Sequence, residues 1–246
     1  MFKRLVLSRP VATIAAIVVC AVALSLGFWQ LDRMQQKIDL AQDIAQKEAA
    51  APLLANAKAW SLDEVKHHRM IAKGAYWPEK SIWLENRPHP QGRDPQTGVS
   101  TGFYVMTPLV LENSQIILWV NRGWAPRDGL NREKLPEIST PSGVIQVEGL
   151  VFEHPARVMS MGMNGVSAET QKIQQNLDIQ KQSQMLGVGY LPFILRESAN
   201  SDKDGLERNW PLMQTGVEKH QGYAFQWFSL AVLTIIFWLL TGILRK

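Results

Sequence analysis

Cysteine is almost missing from this sequence: Cys20 is the only one in 246 residues. A disulfide framework, a thiolate metal centre and a CxxC redox pair are therefore excluded. HExxH, the P-loop and the dinucleotide fingerprint are absent too, so no catalytic motif supports an enzymatic reading. Gly98-Val99-Ser100-Thr101-Gly102 matches the letters of a nucleophile elbow, but a strand-like run containing Pro108 follows it where a helix is required. A loop is the better reading. The chain carries a net charge of +4 and a pI near 9.2, yet its basic residues are scattered and leave no nucleic-acid footprint.

Charge is absent from two long stretches, Val11–Leu31 and Tyr223–Leu244. At about 1.5 Å per helical residue each reaches the roughly 30 Å of a bilayer's hydrocarbon core. Lys3, Arg4 and Arg9 precede the first, Arg245 and Lys246 follow the second, and Trp227 and Trp238 fall near the ends of the second. Cationic flanks mark the cytoplasmic side and indole rings the interface, so the expectation is a membrane hairpin with both termini inside. A cleaved signal peptide competes, because Ala21-Val22-Ala23 imitates a cleavage site; the run continues through Leu24, Leu26 and Phe28, which favours an anchor. Bulky Val19 argues against Cys20 as a lipoprotein cysteine. The expected division is 1–10 cytoplasmic, 11–31 spanning, 32–52 a helical stalk, 53–222 an external domain, 223–244 spanning and 245–246 cytoplasmic.

The external part lacks long helical periodicity. After the stalk, Ser61 and Glu64 have capping-box spacing and predict a short helix. Extended runs follow: "RMIAKGAY", with Met70, Ala72, Gly74 and Tyr76 on one face; "SIWLEN"; "TGFYVMTPLVL" and "QIILWVNRG" around "ENS", as a hairpin; and "VIQVEGLVF". One helix is predicted from Asp178, its N-cap, to Leu186, with Gly187 as its stop. The expected fold is two transmembrane α-helices bracketing an antiparallel β-rich domain, a small barrel or sandwich, with one or two helices.

Three groups of residues invite a functional reading. Met159, Met161 and Met163 alternate in "MSMGM" and could present thioethers to Cu(I), near His154, although methionine more often fills core gaps. In "WVNRGWAPRDG", Gly123 follows Asn121 and Arg122 and is expected to take a conformation or a close approach that a side chain would block. Arg122 and Arg127 can bind carboxylates and Trp124 offers a face; the alternative is a strand end with exposed arginines. His220, Tyr223 and Trp227 share a helix face at i, i+3 and i+7 at the outer membrane boundary, and Trp29 and Arg33 do so at the first span's exit. Such a histidine can ligate haem iron while arginines meet propionates; equally, it can simply hydrogen-bond at the helix start.

Taken in order, "LGFWQLDRMQQK", "NRP", "GFYVMTPLVL", "VNRGWAPRDG", "VEGLVF" and "HQGYAFQWFSLA" resemble the Surfeit-locus (Surf/Shy) family of cytochrome c oxidase assembly factors, bacterial type. The resemblance brackets nearly the whole chain. It implies two membrane helices holding a domain that is periplasmic in bacteria, in a multi-pass protein of the inner membrane. It also implies a non-enzymatic role in maturing the largest subunit of a haem-copper oxidase, with haem a bound transiently and haem a synthase as a further partner. His220 then matches the axial ligand, with Tyr223 and Trp227 completing its motif. Trp29, Arg33 and Arg122 join the haem-binding set, and Gly27, Asn121, Gly123 and Trp124 are motif residues of structural kind. Where the family usually has asparagine two residues before the histidine, this chain has Glu218, so the imidazole's hydrogen-bond partner is left open. Two other readings accompany this one: a scaffold for oxidase subunits that never touches haem, and copper handling through the methionines.

Overall fold

The computed structural model describes residues 9–93, 98–131, 134–158, 172–199, 204–210 and 216–244. They fall into two compact units, one helical (Met1–Asp43 with Met213–Lys246) and one β-rich (Ile44–Leu212).

The helical unit contains most of α1 (Pro10–Ala49) and all of α4 (Val217–Ile243). No proline follows Pro10 within α1, whose turns succeed one another until the chain approaches Pro52. The two helices run antiparallel. Trp238 Nε1 donates to Thr13 Oγ1 at 3.2 Å, Cys20 Sγ lies 3.5 Å from the Ala231 carbonyl, and Phe28 meets Phe228 edge-on at 5.3 Å, so partners step in opposite directions. Gly27 lets them approach, because a Cβ there would lie 2.6 Å from the Phe228 ring. Both helices are long and apolar enough to cross a membrane, and they hide little of their apolar surface within the protein. Val11, Ile14, Phe225 and Phe237 are each more than 60% exposed. A core helix would bury such side chains, so the surface belongs in lipid and the chain is a membrane protein.

The β-rich unit is a closed five-stranded barrel with extra strands and short helices. Its strands are β1 (Leu53–Leu54), β2 (Arg69–Tyr76), β3 (Ile82–Pro88), β4 (Thr101–Leu111), β5 (Ile116–Pro126), β6 (Ile145–Phe152), β7 (Ile173–Gln174) and β8 (Gly189–Glu197). Closure runs β2–β6–β8–β5–β4 and back to β2. Every closing pair is antiparallel except β5–β8, which is parallel. Strand β4 makes closure possible by changing neighbours along its length, pairing with β3 from Thr101 to Met106 and with β2 from Leu109 to Leu111. The sheet therefore has no free edge within the barrel.

Burial follows the side-chain period of two. Leu118 and Val120 of β5 point into the barrel with Met70, Ala72, Leu109, Val147 and Phe193, whereas Ile117 and Trp119 join a second core with Leu84, Met106 and Ile194. Both faces of β5 are thus apolar, and each fully buried large side chain contributes about 1.5–3 kcal/mol. Helix α3 (Ile179–Leu186) supports the second core: Ser183, fully buried, accepts from Trp119 Nε1 at 3.1 Å. Its predicted stops are present, since Asp178 accepts from the Lys181 amide and Gly187 adopts φ 68°. Helix α2 (Leu62–Val65) has the predicted capping box of Ser61 and Glu64. Lys58 and Ser61 hold the Glu64 carboxyl down to about 2.

Candidate functional site in the helical unit

The site begins with a polar residue inside an apolar helix. Gln30 lies near the end of the charge-free run of α1 and is only 8% exposed, so its amide must find a partner across the helix pair. That partner is His220: Nδ1 lies 2.7 Å from Gln30 Oε1. Because an amide oxygen only accepts, the contact places the proton on Nδ1 and leaves Nε2 with its lone pair. His220 is half-buried, and among the described residues its ring's only hydrogen bond is the one at Nδ1. One ring nitrogen is held across the helix pair.

The same two helices carry the aromatic and cationic residues that the sequence singled out. Tyr223 and Trp29 are about half exposed and Trp227 is half-buried. Arg33 lies with its guanidinium carbon 5.7 Å from the Trp29 ring centroid and donates to Gln36 at 2.9 Å. Arg33 is exposed, so an anionic group can reach its guanidinium. By residue type, an imidazole nitrogen can ligate a metal, flat aromatic faces can pack on a planar ligand and a guanidinium can meet carboxylates.

Arg122 has a different setting. The β4–β5 register slips between Val105 and Met106, leaving Arg122 as the extra residue of a bulge, and the bulge turns its side chain into the β unit. The guanidinium is 1% exposed. It donates to Thr140 Oγ1 and the Ser139 carbonyl, both at 2.7 Å, and lies 3.3 Å from Asp204 and 4.9 Å from the Tyr76 ring centroid. The carboxylate that Arg122 meets is the chain's own.

Asp204 also binds Arg208, which reaches Glu197 at 3.3 Å, and Tyr76 donates to Glu197 at 3.2 Å. Burial pushes Glu197 up against the pull of both arginines. Asp204 feels burial as well, but its bonds to Arg208 outweigh that and hold it low. These groups fasten residues 204–210 to β5, where Glu207 and Trp124 exchange backbone bonds at 2.8 Å. Gly123 is part of the fit: its φ is 149°, and a Cβ would stand 2.9 Å from the Glu207 carbonyl. Trp124 is fully buried and donates to the Arg87 carbonyl, while the Asn121 side-chain oxygen is buried without a hydrogen-bond partner.

Comparison with known proteins gives this arrangement a family. The SURF1 family's sequence model matches residues 17–232. The chain belongs to the SURF1 family. It is 27% identical over 215 residues to a SURF1-like protein of Rickettsia bellii, covering 86% of this chain and 82% of that one. A SURF1-like protein of Rickettsia felis is 25% identical over 233 residues, 92% of this chain and 95% of its own. Surfeit locus protein 1 of Xenopus tropicalis is 23% identical over 243 residues, 96% and 74% respectively.

Within this SURF1-family chain, His220, Tyr223, Trp227, Trp29 and Arg33 belong to the helical unit, whereas Arg122, Asn121, Gly123 and Trp124 belong to the β-rich unit. Met159, Met161 and Met163 lie outside the described residues. Among the described residues, no cluster of three or more His, Cys, Asp or Glu is placed to hold a metal ion. Sequence reasoning missed Gln30. Its signal was a lone amide within an otherwise apolar span, which in lipid is expensive unless it has a partner.

Proposed function

We propose that this SURF1-family chain is a non-enzymatic assembly factor for cytochrome c oxidase, holding haem a transiently and passing it to the largest oxidase subunit. The observation that carries the proposal is the 2.7 Å contact of His220 Nδ1 with Gln30 Oε1: with Nδ1 as its donor, Nε2 is the nitrogen left to act as a neutral ligand. Haem a supplies iron for that nitrogen, a hydrophobic tail for the bilayer and propionates for cations. Arg33 is the cation in the same unit, and Trp29 and Tyr223 supply apolar faces. Arg122 is left out, because its guanidinium is buried on Asp204. The basic flanks of the two spans support a bacterial inner-membrane protein with both termini inside and the β-rich unit in the periplasm.

The test is co-expression with the enzymes that make haem a, purification in detergent, and reduced-minus-oxidised spectra of wild type and His220→Ala. The expected result is about one haem per wild-type chain and none in the variant. Equal haem in both would remove His220 as the ligand. No haem in either, with oxidase subunits still co-purifying, would replace the chaperone with a scaffold.

A further inference from the structure

Toward the other end of the helix pair, Arg9 stands at the mouth of a groove of about 470 Å³ between α1 and α4. The groove is apolar along most of its length, lined by Ala12, Ala16 and Val19 from one helix and Leu230, Leu233 and Phe237 from the other. Its polar end is partly paired. Arg9 Nη2 donates to Thr241 Oγ1 at 3.1 Å, Thr241 donates to the Phe237 carbonyl, and Thr13 donates to the Arg9 carbonyl. Among the described residues, Arg9 Nη1 is buried with no hydrogen-bond partner and no acidic side chain lines the groove. An unsatisfied guanidinium N–H beside an apolar channel is costly until an anion meets it.

We propose that this groove seats one anionic phospholipid of the surrounding bilayer, its phosphodiester on Arg9 and an acyl chain along the apolar wall. The charge supports that occupant. Arginine matches the geometry of phosphate oxygens, and Lys3, Arg4, Arg245 and Lys246 lie close to these helix ends in sequence. Basic pockets between membrane helices on the cytoplasmic side recognise such headgroups. The inference rests on the membrane-spanning reading of α1 and α4 and is independent of haem.

The experiment is native mass spectrometry of the full chain, purified in mild detergent, delipidated, and titrated with phosphatidylglycerol or phosphatidylcholine of the same acyl composition. Wild type is expected to retain one phosphatidylglycerol with about tenfold preference, the size of one charge-assisted contact. Arg9→Gln abolishes the preference and Arg9→Lys keeps part of it. Ala16→Phe, which fills the groove without touching charge, lowers retention of both lipids, with helical circular dichroism verifying the fold. His220→Ala retains lipid like wild type, which separates this outcome from that of the haem test. Equal retention of the two lipids by wild type, or an unchanged preference in Arg9→Gln, overturns the site. A photocrosslinker at Ala16 that captures a protein helix in membranes, and no lipid, also overturns it by giving the groove another occupant.

Discussion

At the scale of single residues, His220 was legible because it interrupts the approach to an apolar run, and interruptions are visible in one dimension. Gln30 was not, because its meaning lies in a partner 190 residues away. A hydrogen-bonded second nitrogen fixes ring orientation and tautomer, and losing such a partner typically costs 10–100-fold in affinity for a ligated metal. Gln30→Ala is therefore expected to lower haem retention by about tenfold in a chain that remains in the membrane. Gln30→Glu, which keeps an acceptor, is expected to restore most of it; haem-to-protein stoichiometry read from the spectra checks both. Gly123 is the residue-scale counterpart in the β-rich unit. Its φ of 149° and the Glu207 carbonyl 2.9 Å from a modest Cβ leave alanine both strained and crowded. Gly123→Ala should destabilise the β-rich unit by about 1–3 kcal/mol, measured as a lower thermal midpoint by tryptophan fluorescence.

At the scale of elements, the sequence yielded those with local signals. Helices α2 and α3 carry their own caps, and β2 and β6 show plain alternation, so no distant partner was needed to see them. Strand β8, which closes the barrel, went unread because Pro192 sits in its middle and demotes a run to edge or loop. The structure accommodates that proline with a register shift in the β5–β8 pairing between Ile117 and Trp119, around Pro192. Residues 204–210 went unread for a different reason: their polar composition suggests an exposed loop, yet Asp204 and Arg208 are each 7% exposed and hold the segment on β5. Breaking such a network strands charge. Asp204→Asn leaves Arg122 without a carboxylate and is expected to cost about 3 kcal/mol at neutral pH. The pH dependence follows the direction of the Asp204 shift. Its folded pKa lies below the unfolded value, so its stabilisation is complete above about pH 4 and is lost as pH falls through the folded value. Glu197, raised by burial, works with the opposite sign: its contribution is full below the unfolded carboxyl pKa and fades as pH rises through the folded one. Acid titration of the unfolding midpoint should therefore show a drop below about pH 4 in wild type that is shallower in Asp204→Asn. Parallel curves would assign the acid sensitivity to other groups.

At the scale of the whole molecule, the decisive surface is the one that has no place in water. The exposed apolar surface of α1 and α4 requires lipid, and the scarcity of cysteine then becomes an experimental advantage, since Cys20 is the single thiol to remove. The flanking cations set the orientation: Lys3, Arg4 and Arg9 at one span and Arg245 and Lys246 at the other should keep those ends in the cytoplasm and hold the β-rich unit outside. In a Cys20→Ala background, Leu130→Cys places a thiol at a fully exposed position of the β-rich unit, and Ser8→Cys places one before the first span. A membrane-impermeant maleimide applied to intact spheroplasts should label Leu130→Cys at once and Ser8→Cys only after lysis. The reverse pattern would invert the protein and put His220 at the cytoplasmic face. That would remove the periplasmic setting of the proposed haem site while leaving its Gln30–His220 geometry untouched.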